Sequence, residues 1–102
     1  MISQLEKLLG TPRDGALLRY SLGLEYAKDA DPRAIEQLRE AVSRDPLYSA
    51  AWKALGRLLA DAGRDDEARE AYRQGIEAAR KRGDRQAEKE MSVFLKRLER
   101  RA

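Results

Sequence analysis

The sequence predicts an all-α fold made of six short helices in a single domain. Apolar residues recur every three or four positions along almost the whole chain, which is the spacing of one helix face. Glycine, proline and aspartate interrupt this pattern, and no stretch shows the alternation typical of a strand. A chain of 102 residues is long enough for one domain with one modest core.

The first helix is predicted to begin near Ile2 and to end at Gly10. Thr11, Pro12 and Asp14 then form a helix-start signal, because they supply a capping side chain, a proline at the first helical position and a carboxylate three residues after the cap. We therefore expect the second helix to open at this signal. Its apolar side consists of Leu17, Leu18, Leu22 and Tyr26.

Asp31 and Pro32 repeat the start signal and predict the third helix, and Asp45 and Pro46 mark its end. Its apolar residues are Ile35, Leu38, Ala41 and Val42. The fourth helix is predicted to end before Gly63. Its apolar residues are Trp52, Leu55, Leu58 and Leu59.

The fifth helix is expected to be capped by Asp65 or Asp66 and to end near Gly83. The sixth helix follows from Asp84. Its apolar residues are Ala87, Met91, Phe94, Leu95 and Leu98. The two side chains expected to bury against the fifth helix are Phe94 and Leu98.

The chain also repeats itself. A shift of 33 residues superimposes Gly23 on Gly56, and a shift of 34 residues superimposes Ala34 on Ala68. Helices two and four are therefore one type of element, and helices three and five are another. Small residues at these four positions would let paired helices approach closely.

The repeated positions resemble the signature of the tetratricopeptide repeat, a helix pair of about 34 residues. In the second unit they are Trp52, Leu55, Gly56, Ala68, Tyr72 and Ile76. In the first unit they are Leu22, Gly23, Tyr26, Ala34, Leu38 and Pro46. Arg19, Leu59 and Arg80 depart from the pattern, because the family prefers Trp, Tyr and Pro there.

The resemblance implies a right-handed α-solenoid of antiparallel helix pairs. The two repeats are expected at 16–48 and 49–82, with an N-terminal cap helix in 1–10 and a C-terminal cap helix in 84–101. The caps have a physical purpose, because each repeat leaves apolar surface that a neighbouring element must cover.

The resemblance also implies a concave wall that is lined by the first helix of each pair and receives a peptide. The side chains expected to face it are Leu17, Tyr20, Leu24 and Lys28 on the second helix and Ala50, Lys53, Arg57 and Ala60 on the fourth. Lys53 and Arg57 form a pair that could grip a carboxylate. The alternative is that Leu17 and Leu24 only pack on the N-terminal helix and that the two cations are ordinary surface charges.

The formal net charge of +3 is unevenly distributed. Residues 79–102 carry nine Lys or Arg against four Asp or Glu, so the basic charge is concentrated at the C-terminal end. The predicted basic patch contains Arg85, Lys89, Lys96, Arg97, Arg100 and Arg101. Such a patch could attract nucleic acid or an acidic protein, although a charge run is more often a solvated helix face.

Several classes of function are not expected. The chain has no Cys and no His, so thiolate and imidazole chemistry is excluded. It has no phosphate-cradling glycine loop and no nucleophile motif, so we expect neither an enzyme nor a cofactor or metal site. No apolar run is long enough for a membrane span, and the first ten residues do not resemble a signal peptide, so a cytoplasmic protein is expected.

The expected function is therefore that of a non-catalytic interaction module or scaffold that binds a peptide segment of another protein. One alternative is a structural module that forms a homodimer through an end helix or through the concave wall. A second alternative is binding of nucleic acid or an acidic partner by the Arg-rich sixth helix, with nucleic acid the less expected partner.

Overall fold

The computed structural model describes residues 1–101 and contains six α-helices. They are α1 (Ile2–Glu6), α2 (Ala16–Lys28), α3 (Arg33–Arg44), α4 (Ser49–Asp61), α5 (Asp65–Arg82) and α6 (Arg85–Arg100). No strand is present in this part of the chain, which confirms the predicted all-α class. Across the same residues, no helix has both the length and the apolar character that crossing a membrane requires.

The helices form a short repeat solenoid. α2 packs against α3 and α4 against α5, and the two pairs meet through α3 and α4. α1 lies against α2 at one end, and α6 lies against α5 and α4 at the other. The resulting molecule measures 41 × 29 × 17 Å, an elongated shape in which each element contacts mainly its neighbours.

Two glycines make the close helix crossings possible. A β-carbon added to Gly23 would lie 2.8 Å from Cγ of Leu38 on α3. A β-carbon added to Gly56 would lie 2.5 Å from Cε1 of Tyr72 on α5. The repeated glycines therefore lie where the two helices of each pair touch, as the sequence repeat predicts.

The apolar side chains form two clusters. The larger one runs through α3 to α6, and its bulkiest fully buried members are Leu38, Leu55, Leu59 and Met91. The smaller one contains Leu18, Leu22, Tyr26 and Ala34, covered by Ile2, Leu5, Leu8 and Leu9. Leu58 packs against both clusters and so links the two helix pairs.

Trp52 is partly buried against the larger cluster. Its indole N–H donates to the backbone carbonyl of Pro46 at 2.8 Å, which anchors α4 to the loop that precedes it. Trp52 therefore packs within the fold, as expected of a residue that joins repeats.

The predicted boundaries near the N-terminus are wrong. α1 ends at Glu6 and is followed by turns, so it does not reach Gly10, and α2 begins at Ala16 with no side-chain cap. The hydroxyl of Thr11 accepts from the backbone N–H of Arg13 at 3.2 Å, which makes a local turn rather than a helix start.

Asp14 explains why the expected capping box does not form. Its carboxylate accepts the backbone N–H of Gly10 at 2.9 Å and both guanidinium N–H groups of Arg19, each at 2.9 Å. A charge-assisted bidentate pair is stronger than a neutral capping bond, so this carboxylate is committed elsewhere.

The predicted cap of α5 is also wrong. Asp65 and Asp66 lie inside the first helical turn, where a carboxylate interacts favourably with the helix dipole but does not cap the helix. Asp65 instead accepts from Arg101 at 3.2 Å. At α6 the prediction is confirmed, because the Asp84 carboxylate accepts the Ala87 backbone N–H at 3.1 Å.

Candidate functional site

A cavity of about 550 Å³ opens on the side of the molecule formed by α2, α4 and α6, and we call it the groove. Five of the predicted site residues line it, namely Tyr20, Leu24, Lys28, Lys53 and Arg57. The other lining residues are Ala27, Ala50, Ala54, Leu58, Asp61, Glu90 and Phe94. Leu17 lies one turn before Tyr20, 68% exposed, and does not line the groove.

The apolar part of the groove rests on the core. Leu58 and Phe94 pack against the larger cluster and also line the cavity. The Tyr20 ring lies 5.0 Å from the ring of Tyr48, measured between centroids, so its position is supported from behind. These contacts make the apolar surface of the groove a rigid extension of the core.

Phe94 is less buried than predicted. Leu98 is buried in the larger cluster, as expected, whereas Phe94 is only partly buried. One side of the Phe94 ring packs near Tyr72 of α5, with centroids 5.7 Å apart. Because Phe94 also lines the groove, part of its ring remains accessible to a ligand.

Lys53 has a partner that the sequence analysis missed. Its ammonium group donates to the Glu90 carboxylate at 3.0 Å, which joins α4 to α6 across the groove. Glu90, Phe94 and Arg97 lie at spacings of four and three residues on α6, so helical periodicity would have placed them together if α6 had been considered as part of the wall.

The expected Lys53 and Arg57 pair is therefore not a free carboxylate grip. Lys53 is already neutralised by Glu90, and Lys28 pairs with Glu25 at 2.9 Å. Arg57 is exposed and has no ion pair with any side chain in residues 1–101. Arg57 is thus the available cation of the predicted set.

A second cavity of about 420 Å³ adjoins the groove. It is lined by Arg57, Ala60, Asp61, Tyr72, Phe94, Arg97, Leu98 and Arg101. Arg57, Asp61 and Phe94 line both cavities, so the two form one continuous depression. Burial raises the pKa of Tyr72 to about 12, so its hydroxyl stays protonated at neutral pH and can donate a hydrogen bond.

The predicted basic patch divides into two surfaces. Arg97 and Arg101 line the second cavity. The other four cations, Arg85, Lys89, Lys96 and Arg100, are exposed and lie at helical spacing on the face of α6 opposite its buried residues. The three glutamates of α6, Glu88, Glu90 and Glu99, pair with Arg80, Lys53 and Arg73 of other helices.

Known proteins resemble this chain along almost its whole length. A TPR repeat-containing protein of Pseudomonas aeruginosa is 51% identical over 102 residues, which are 98% of this chain and 96% of that protein. The solution structure of a Bordetella parapertussis protein superimposes with a TM-score of 0.78 at 44% identity and covers 99% of this chain and 89% of that one.

A third relative supports the same assignment. The crystal structure of a tetratricopeptide repeat domain protein from Salinibacter ruber superimposes with a TM-score of 0.77 at 33% identity and covers 82% of this chain and 96% of that one. The family model described as tetratricopeptide repeat matches residues 27–88. The paired helices, the glycine crossings and these matches together show that the chain belongs to the tetratricopeptide repeat family.

Proposed function

We propose that this protein is a non-catalytic interaction module that binds a peptide segment of another protein in the groove. Tetratricopeptide repeat proteins are in general protein–protein interaction modules. The observation that carries the proposal is the groove itself, which combines a supported apolar surface with the unpaired cation Arg57. Such a mixture of apolar surface and a few polar groups is typical of ligand sites.

The size of the groove limits the ligand to a short segment. Its volume of about 550 Å³ lies within the range of about 300–1,000 Å³ that is usual for ligand pockets. A contact of this size is smaller than a standard protein–protein interface, so we expect affinities in the micromolar range, near about −8 kcal/mol.

The charges of the groove favour an acidic peptide. Over the two adjoining cavities the cations are Lys28, Lys53, Arg57, Arg97 and Arg101, and the carboxylates are Asp61 and Glu90. This excess of positive charge would attract acidic segments and disfavour basic ones.

Selection from a displayed library of random peptides would test the proposal. Ala50 lines the groove, so Ala50→Tyr would fill part of it. Ser43 is exposed on α3 and lines no cavity described for the chain, so Ser43→Tyr is a matched control. We expect peptides selected by the wild type to bind Ala50→Tyr at least tenfold more weakly, because a filled pocket loses the apolar contact.

The control decides the interpretation. The Ser43→Tyr variant should bind the selected peptides like the wild type. Equal affinity for the wild type and for Ala50→Tyr, with circular dichroism showing both folded, would contradict binding in the groove.

A second candidate function, polyanion binding by the outer face of α6, is favoured by one observation. Arg85, Lys89, Lys96 and Arg100 have no ion pair within residues 1–101, whereas the glutamates of α6 are all paired with other helices. Binding of a DNA duplex through these four cations should weaken steeply with salt, with a slope of log affinity against log salt of about −3.6.

The lysines of this face allow a controlled test. Lys89→Glu with Lys96→Glu should abolish duplex binding in an anisotropy titration at low salt. The same charge change at the exposed residues Lys7 and Arg13 is the control. Duplex binding that is equally weak in both double variants would indicate a nonspecific charge effect.

A further inference from the structure

Tyr72 has an unusual hydroxyl. The residue is only 3% exposed, yet no hydrogen-bond partner for its hydroxyl exists among the described side chains and backbone groups. The side chain lines the second cavity, and Asp61 and Arg57 are the charges that act on its pKa. The hydroxyl of an otherwise buried tyrosine therefore faces this cavity and is free to donate to a ligand.

Two guanidinium groups lie beside this hydroxyl without carboxylate partners. Arg57 comes from α4 and Arg97 from α6, and neither forms an ion pair within residues 1–101. The Arg97 guanidinium lies 5.9 Å from the centre of the Phe94 ring. By contrast, Arg101 donates to Asp65 and is already neutralised.

Asp61 sets the charge that a ligand would meet. It is the one carboxylate among the described residues that line the second cavity. With Arg57 and Arg97 it leaves a net charge of +1 on the groups that have no other partner. A monoanionic carboxylate matches this charge, whereas a phosphate group, which carries about −1.5 to −2, would exceed it.

We propose that Arg57, Arg97 and the Tyr72 hydroxyl form a carboxylate-binding site at the α6 end of the groove. The inference rests on the proposed function, since the carboxylate belongs to the bound peptide. Arginine suits this task because its planar donors can hold a carboxylate in a bidentate arrangement. Phe94 separates the site from the rest of the groove, so the peptide carries an acidic residue beside an apolar one.

The site depends on packing, because its three groups come from α4, α5 and α6. It also differs from the carboxylate grip expected from the sequence. Lys53 is neutralised by Glu90, so the acidic preference of the groove arises at Arg57 and Arg97.

Two fluorescein-labelled heptapeptide libraries would test the site by anisotropy. Both are amidated, and the fixed centre is Leu-Glu-Phe in one and Leu-Gln-Phe in the other. A third library, with the Gln centre and a free C-terminal acid, distinguishes a side-chain carboxylate from a chain end. We expect the wild type to bind a carboxylate library about tenfold more tightly than the amidated Gln library, as charge-assisted hydrogen bonds imply.

Three variants locate the preference. Arg57→Gln with Arg97→Gln should reduce it to within about twofold while leaving affinity for the Gln library unchanged, because only charge-assisted contacts are lost. Tyr72→Phe removes a single oxygen atom and should reduce the preference by about threefold. Lys7→Gln with Arg13→Gln removes the same charge from exposed positions elsewhere and should keep the full preference.

The outcomes separate this site from the groove proposal. Equal binding of all libraries by the wild type, with binding still lost in Ala50→Tyr, would overturn the carboxylate site and leave the groove proposal standing. A preference that survives in the Arg57 and Arg97 variant would also overturn it. No binding of any library to the wild type would overturn both proposals.

Discussion

Ala30 adopts a backbone conformation that usually requires glycine. It has φ of 53° and is the one non-glycine residue with positive φ in the described chain. It follows α2, where the Asp31 backbone N–H bonds to the Tyr26 carbonyl and closes the helix end. The position 33 residues later is Gly63, with φ of 76°, so the second repeat has the residue that this turn prefers.

Ala30→Gly is therefore expected to stabilise the protein by about 0.5–1 kcal/mol, because relief of the left-handed strain outweighs the added freedom of the unfolded chain. Urea unfolding followed by circular dichroism would measure the change. Ala27→Gly, inside α2, is the matched control and should destabilise by about 1 kcal/mol. A loss of stability in both variants would contradict this account.

Gly56 is required for the contact between α4 and α5. Gly56→Ala should lower the free energy of unfolding by about 1–2 kcal/mol, because the new methyl group meets the buried Tyr72 ring. In an unobstructed helix the same change would stabilise by about 1 kcal/mol, so the intrinsic helix propensity acts in the opposite direction. Unchanged or increased stability in urea would show that α4 and α5 can separate without cost.

At the level of single elements, the carboxylate of Asp14 connects α1 to the first repeat. It holds the Gly10 backbone and Arg19 of α2, and Arg44 of α3 lies 3.6 Å away. Hydrogen bonds from Arg19 and then from Gly10 lower the pKa of Asp14 to about 2. Because this pKa lies below that of the unfolded chain, near about 3.9, ionised Asp14 stabilises the fold at neutral pH.

This stabilisation should be complete above about pH 4 and should be lost as the pH falls through 2. Asp14→Asn is expected to lower the thermal unfolding midpoint at pH 6, and the difference from the wild type should shrink towards pH 2. Asp29→Asn, at an exposed carboxylate that follows α2, is the control. A difference between Asp14→Asn and the wild type that is constant from pH 2 to 7 would contradict the linkage.

α6 serves both as a cap of the core and as part of the groove. Phe94→Ala should cost about 2 kcal/mol of unfolding free energy, less than a fully buried phenylalanine, because part of the ring is exposed. Val93→Ala, on the exposed face of α6, should cost within about 0.5 kcal/mol. Equal losses in chemical denaturation would mean that Phe94 does not anchor α6.

At the scale of the whole molecule, the stacked arrangement predicts unequal stability along the chain. α4 and α5 have neighbours on both sides, whereas α1 contacts α2 alone. In a repeat array, stability depends on contacts with adjacent elements, so the ends open first.

Native-state hydrogen exchange measured by NMR should therefore show lower opening free energies for α1 and α2 than for α4 and α5. The two apolar clusters support this order, because the N-terminal cluster joins the larger one mainly through Leu58. Identical opening free energies for all helices would instead indicate one cooperative unit.

Much of this organisation can be predicted from local spacing along the chain. Apolar periodicity and the repeated glycines predict the six helices, their pairing and the close contacts at Gly23 and Gly56, because these depend on residues three to four positions apart. The same periodicity places Tyr20, Leu24, Lys53 and Arg57 on one side of the molecule.

Contacts between elements account for what the sequence could not predict. Asp65 bonds to Arg101, 36 residues away, and Lys53 bonds to Glu90, 37 residues away, so neither the helix start nor the charge of the groove could be inferred from neighbouring residues. Arg57, Tyr72 and Arg97 come from three different helices and share a cavity only after α4, α5 and α6 pack together. Helix formation depends on local backbone hydrogen bonds, whereas the ligand-binding chemistry depends on which side chains the packed helices bring close.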